Sequence, residues 1–187
     1  AIKSGNTEIS EVVTTLSKFY RTALNHGEIE SRLEDEIVNV ESYIQLQQKM
    51  HSDTFTAEYN ISEETKDFIV PTFILQPIAE NAIEHSIDTI RDHTGKLLIQ
   101  SAIDENYLYI TISNDGTPFK EEDFHHALNQ TMKSYGLKNV YARITALGDD
   151  CYMKLVTPPD DYTTSIQIRL ICRQFTASVS FNESNQI

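Results

Sequence analysis

At 187 residues the chain is long enough for one compact domain with an appendage, or for two small domains. A formal net charge of −13 argues against a duplex nucleic-acid partner, because phosphate repels such a surface and no basic stripe offsets it. The two cysteines, Cys151 and Cys172, lack metal-site or disulfide-framework spacing and fit a reducing cytosol, and neither a spanning apolar run nor a signal peptide is visible.

In chain order, Ile9, Val12, Val13, Leu16, Phe19, Tyr20 and Ala23 recur at three and four residues, which predicts an amphipathic helix. Asn25–Glu28, with Gly27, ends it. A second stripe, Leu33, Ile37, Val40, Ile44 and Gln47, predicts a second helix, and the short connection makes the two an αα-hairpin over residues 1–50. One hairpin does not bury two stripes well, so a homodimer through a four-helix bundle is expected. The chain begins without Met and without an obvious helix cap, which reads as a piece of something longer.

The texture changes after Met50. Thr54–Ile61 alternates and predicts a strand; Pro71 opens an apolar region in which a helix runs from near Gln76 to about Ile90, with Pro77 in its first turn. Lys96–Ile103 and Tyr107–Ser113 read as two strands around a turn at Asp104, Glu105 and Asn106. The polar stretch from Asn114 to Ser134 holds only a short helix, Glu121–Asn129. "YGLKNVYARITALG" predicts a helix stopping at Gly148. Cys151–Pro158 and Thr163–Leu170 form a closing antiparallel pair, with Ile166, Ile168 and Leu170 on one face. The fold class is α+β: a helical hairpin (1–50), a two-layer sandwich of mixed sheet with helices on one face (51–171), and a polar tail (172–187), unstructured or lightly docked.

Chemistry concentrates in "LQPIAENAIEHSI", residues 75–87. Asn81, Glu84 and His85 stand at i, i+3 and i+4 and share one helix face, with Glu80 beside it, while Ile74, Ile78 and Ala82 line another. An amide oxygen with carboxylates suits a hard cation that keeps several waters, Mg²⁺ on a phosphate chain rather than zinc; an ordinary solvated helix face uses the same residues. Two further stretches bear on the choice. "ISNDGTPF" ends a strand in Asn114, Asp115 and Gly116, and "SYGLKNV" opens a helix behind a glycine loop, where free N–H groups and the positive dipole end attract phosphate.

In this order and spacing, the three stretches resemble the N box and the two glycine boxes of the Bergerat (GHKL) ATP-binding fold. Together with "LSKFYR" and "LEDEIVNVESYIQLQQKMHSD", the segment "VPTFILQPIAENAIEHSI" resembles the LytS/YesM-type sensor histidine kinases, from about Glu8 to Leu170. The resemblance implies ATP and Mg²⁺ as cofactors and assigns roles. Asn81 would bind Mg²⁺, and Glu80 would polarise the phosphoacceptor or a metal-bound water. His85 and Glu84 would lie near the phosphates, Glu84 where many other histidine kinases have Lys. Asn114 stands at the place of the adenine-binding Asp, with Asp115 next to it, and Gly116 would let backbone approach adenine. Pro118 replaces a second glycine. Ser134 replaces the first glycine of the second box, which Gly136, Leu137 and Asn139 complete, and Thr164 would back the base. Lys138 and Arg143 either help with phosphate charge or are solvated helix charges.

What the resemblance implies for function is a transferase. It would be the ATP-binding catalytic region of a two-component kinase, passing the γ-phosphoryl group to a histidine upstream of this chain and then to a response regulator. His26 and His51 do not stand in an acceptor context and read as surface residues, so the chain by itself is expected to be inactive in autophosphorylation. It would be the cytoplasmic portion of a membrane-bound bacterial kinase, reaching the membrane only through upstream segments. The alternative is a degenerate ATP-binding or dimerisation module with little kinase activity.

Overall fold

The structure, a computed structural model, describes residues 29–50, 54–85, 94–129 and 135–174. Its elements in order are β1 (Glu30–Arg32), α1 (Leu33–Met50), β2 (Phe55–Ile61), a 3-10 turn (Glu63–Thr65), β3 (Ile69–Pro71), α2 (Gln76–His85), β4 (Gly95–Asp104), β5 (Tyr107–Asn114), α3 (Glu121–Asn129), α4 (Tyr135–Thr145), β6 (Tyr152–Leu155) and β7 (Thr164–Ile171). The predicted first stripe, Ile9–Ala23, its connection at Asn25–Glu28 and the tail beyond Gln174 lie outside the described residues.

Five strands form one sheet in the order β2-β4-β5-β7-β6. β2 and β4 are parallel and the other neighbours antiparallel, so the sheet is mixed, as expected. Strand alternation decides what the sheet buries. Leu108, Ile110 and Ile112 of β5 stand opposite Leu170, Ile168 and Ile166 of β7, all on the covered face. Helices α2, α3 and α4 cover that face through Ile78, Ala79, Ala82, Ile83, Phe124, Leu128, Leu137, Val140 and Ile144, in one continuous cluster. The other face is polar: Asn60, Gln100, Thr111 and Gln167 line a shallow open depression there.

Helix α1 belongs to the same packing unit. Leu33, Ile37, Val40, Tyr43 and Ile44 are buried within that cluster, and α1 contacts both α2 and β2. The second of the two stripes that the sequence offers to another copy is therefore covered inside this chain. One piece was not read from the sequence at all. β1 and β3 form a separate antiparallel ribbon, Glu30 opposite Pro71 and Arg32 opposite Ile69. The start of the polar tail is docked, for the Ile69 N–H donates to the Arg173 carbonyl at 2.7 Å and Phe68 bridges Gln174. No helix among the described residues is long and apolar enough to cross a membrane.

Candidate functional site

Helix α2 carries the richest motif, and its start is unusual. The residue before it is Leu75, which offers no side-chain cap; its carbonyl accepts from Ile78 and Ala79. The loop that leads into α2 is held from α1. One carboxyl oxygen of Glu36 accepts the Phe73 N–H at 2.7 Å and the other accepts the Ile74 N–H at 3.0 Å, while the Leu75 N–H adds a third bond. Glu36 is 2% exposed, and burial raises its pKa above the usual carboxyl value, against the pull of these three amides.

On α2, Glu80 is half-buried and held by Gln76, whose amide donates to it at 2.7 Å. Asn81 is half-buried and Glu84 is exposed. His85 is the last residue of the helix, and its side chain lies outside the described residues, as does all of Ser134. The predicted extension of this helix to Ile90 also falls outside them.

The strand ends bring a second group together. Asn114 closes β5, 3% exposed, directly opposite Thr164 of β7. The alternation that buries Leu108, Ile110 and Ile112 carries Asn114 to the covered side. Asp115 goes the other way, and its carboxylate accepts the Lys96 N–H at 2.6 Å. Thr163 pins the turn by donating to the carbonyls of Asn114 and Gly116, at 3.1 and 2.6 Å. The buried Thr164 hydroxyl accepts from the Phe119 N–H at 2.9 Å, fixing the start of the segment that leads to α3. Among the described residues, the buried amide nitrogen of Asn114 has no hydrogen-bond partner. A buried unmade donor is expensive to leave so, and it marks where a ligand atom with a lone pair would fit.

The two glycine-bearing stretches behave differently. Gly116 is buried in the turn. Gly136, on the first turn of α4, packs directly on Pro77 of α2. Leu137 is buried behind it, while Lys138 is half-buried and Asn139 is exposed. The guanidinium of Arg143 does not stand free for phosphate: it donates to the Thr72 carbonyl at 2.5 Å and the Ile29 carbonyl at 3.3 Å. Among the described residues no cluster of three or more His, Cys, Asp or Glu side chains is arranged to hold a metal ion.

Sequence reading also passed over Glu36, Gln76, Thr163 and the Pro77 contact. Glu36 left one signal: it stands on the buried face of α1, three residues after Leu33 and next to Ile37.

The family model described as histidine kinase matches residues 1–55. The chain is 27% identical over 169 residues to the sensor histidine kinase BtsS of Escherichia coli, with 90% of this chain and 29% of that protein aligned. To the sensor protein LytS of Staphylococcus epidermidis it is 26% identical over 176 residues, with the same two shares. By sequence the chain is a relative of the LytS and BtsS sensor histidine kinases. It spans about three-tenths of the length of these relatives. Its fold is that of histidine kinase catalytic domains. The mycobacterial sensor kinase MprB superposes with a TM-score of 0.55 at 14% identity, covering 78% of this chain and 98% of that one. A nucleotide-free catalytic domain of the kinase ThkA gives 0.55 at 19%, covering 76% and 94%. ThkA in complex with the response regulator TrrA gives 0.56 at 18%, covering 89% and 48%.

Proposed function

We propose that this chain is the nucleotide-binding catalytic part of a two-component sensor histidine kinase. The observation that carries the reading is the packing of α2, which bears Glu80 and Asn81, both on the start of α4 at Gly136 against Pro77 and on β5, the strand that leads into the Asn114–Gly116 turn. The match to BtsS and LytS over nine-tenths of the chain supports it.

The residues fit ATP. Asn114 presents a buried amide nitrogen without a partner, suited to a ring nitrogen of a base. Thr164 and Gly116 wall the same turn, and the α4 N-terminus with Leu137 and Asn139 takes phosphate. Asn81 and Glu80 offer hard oxygen donors, which suit a cation that takes most of its ligands from phosphate and water. When bound, Mg²⁺ offsets negative charge on the group being transferred. Glu80 polarises the acceptor, Asn81 holds the cation's register, and Glu84 and His85 complete the face. The γ-phosphoryl group leaves ADP for a nitrogen of a histidine upstream of this chain, and positioning supplies most of the rate. A response regulator then receives the phosphoryl group, a partner for which the ThkA–TrrA complex is the precedent.

The same proposal divides the chain into a helical module, 1–50, through which two copies would pair, and a nucleotide-binding unit, 51–171, with α1 as the part of the module that docks on the sheet domain. It places the chain on the cytoplasmic side of a membrane-bound kinase.

A second reading, a nucleotide-binding module without transfer, is favoured by Asn114 standing where an Asp is usual. Calorimetric titration with Mg·ATP tests the binding. Restoring the upstream helix and following ³²P onto histidine separates the two readings. Absence of Mg·ATP binding refutes both.

A further inference from the structure

The four-residue loop Thr72–Leu75, which launches α2, is held from two opposite elements. From α1, the Glu36 carboxyl accepts the Phe73 and Ile74 N–H groups with separate oxygens, with Leu75 as a third donor. From α4, Arg143 donates to the Thr72 carbonyl, and the Thr72 N–H donates to Ile29, which Arg143 also reaches. Phe73 sits at φ 56°, a left-handed conformation that a non-glycine residue keeps only when its surroundings impose it. Leu75 supplies no cap of its own, and without Glu36 the Phe73, Ile74 and Leu75 N–H groups of the loop leading into α2 would lose this acceptor. α1 itself is fixed by five buried apolar side chains, so Glu36 is not a swinging surface acid.

We propose that Glu36 is a positioning residue for the nucleotide helix: it fixes the loop from which α2 starts, and thereby the placement of Glu80 and Asn81 a little over one turn further on. This rests on the proposed nucleotide role of α2, but its structural half is testable without nucleotide.

Glu36→Gln keeps the shape and replaces one accepting oxygen with an NH₂ that faces a backbone donor. Glu36→Ala removes the acceptor for all three loop amides. Ile44→Val, a modest truncation of the same helix's packing, serves as the control for general loss of stability. On the full 187-residue chain, amide exchange is followed separately for residues 73–83 and for the sheet residues 108–112 and 166–170. Mg·ATP affinity is measured at a temperature where every variant is folded. The expected result is about tenfold faster exchange confined to residues 73–83 and about tenfold weaker Mg·ATP binding in Glu36→Gln, with neither in Ile44→Val at a comparable melting temperature. Acceleration spread evenly over helix and sheet, or unchanged exchange at residues 73–83, overturns the positioning role. So does failure of both Glu36 variants to fold, which would make Glu36 a requirement of the fold alone. If the parent binds no Mg·ATP, the nucleotide reading falls, while the exchange pattern still decides whether Glu36 sets α2.

Discussion

Gly136 and Pro77 are in van der Waals contact across α4 and α2, so close that a Cβ on the glycine would stand 2.9 Å from the proline Cβ. The two helices that carry the N box and the second glycine box are therefore locked together at their first turns. A proline ring cannot swing aside as a long side chain does. Gly136→Ala forces α4 off α2 and is expected to destabilise the chain by about 1–3 kcal/mol, the usual range for overpacking a tight contact. It should also weaken nucleotide binding, because both motifs move. Urea unfolding gives the first number and Mg·ATP calorimetry the second; an alanine variant as stable as the parent would show that the contact has slack.

Asn81→Ala separates chemistry from packing on α2. Asn81 is half-buried, while Ile78, on the same helix, is 1% exposed. Removing the amide opens no core cavity, so circular dichroism and the unfolding midpoint should stay near those of the parent while Mg·ATP affinity drops. Ile78→Ala should instead lower stability by roughly 2–5 kcal/mol. Parental Mg·ATP binding by Asn81→Ala would remove that residue from the cation site.

The strand-end pair gives a ranking. Asp115 already spends an oxygen on the Lys96 N–H, a bond that Asn at the same place retains with its amide oxygen. Asp115→Asn is therefore expected to bind nucleotide like the parent. Asn114 faces the covered side with an unmade N–H donor, and its amide tolerates either an amino group or a carbonyl on a base. Asn114→Asp exchanges that ambiguity for a charged acceptor, which should improve the preference for ATP over GTP by about 1 kcal/mol. It should also lower the stability of the nucleotide-free protein, because a carboxylate at this depth is desolvated. Competition binding with the two nucleotides checks the ranking, and greater sensitivity at Asp115 would reverse it.

How much of this was legible in the sequence follows from the range of each interaction. Period-two alternation placed Leu108, Ile110, Ile112 and Asn114 on one face, and the sheet keeps them there. The short helix Glu121–Asn129 was readable because Phe124 and Leu128 repeat at helical spacing. Contacts between distant residues left little trace. The three-residue strands β1 and β3 are too short for a pattern to show, and Arg143 finds its carbonyl partner 71 residues away. An apolar stripe on α1 announces that something covers it, not what; here the cover is α2 and β2. The acid within that stripe, Glu36, is a local irregularity that pointed to a long-range partner.

The placement of α1 makes a deletion informative. Removing residues 1–50 takes away Leu33, Ile37, Val40, Tyr43 and Ile44, all buried in the common core, together with the Glu36 carboxyl that holds the loop before α2. At roughly 1.5–3 kcal/mol for each large apolar side chain, the loss from these five alone rivals the 5–15 kcal/mol that typically holds a domain together. The remainder is expected to be unfolded or aggregated rather than a folded monomer, as read by circular dichroism and light scattering. A cooperative melting transition in the 51–187 piece would show that the sheet domain closes its core without α1.

Burial of Glu36 adds a pH dependence whose sign can be worked out. Its pKa in the folded chain lies above the ordinary 4.5, with desolvation of the charged form as the main cause. The folded state therefore holds this proton to higher pH than the unfolded state does. The stability this contributes is fully present below the ordinary carboxyl pKa and is lost as pH rises through the folded pKa, after which it stays flat. Other carboxylates titrate in the same region, so the parent's own pH curve does not isolate the effect; its difference from Glu36→Gln does, because the amide carries no titrating proton. The stability of the parent minus that of Glu36→Gln, from urea midpoints at matched ionic strength, should fall as pH rises from about 4 towards neutrality and then level. A difference that rises over the same window would mean that the three backbone donors outweigh burial and that Glu36 is held ionised in the fold.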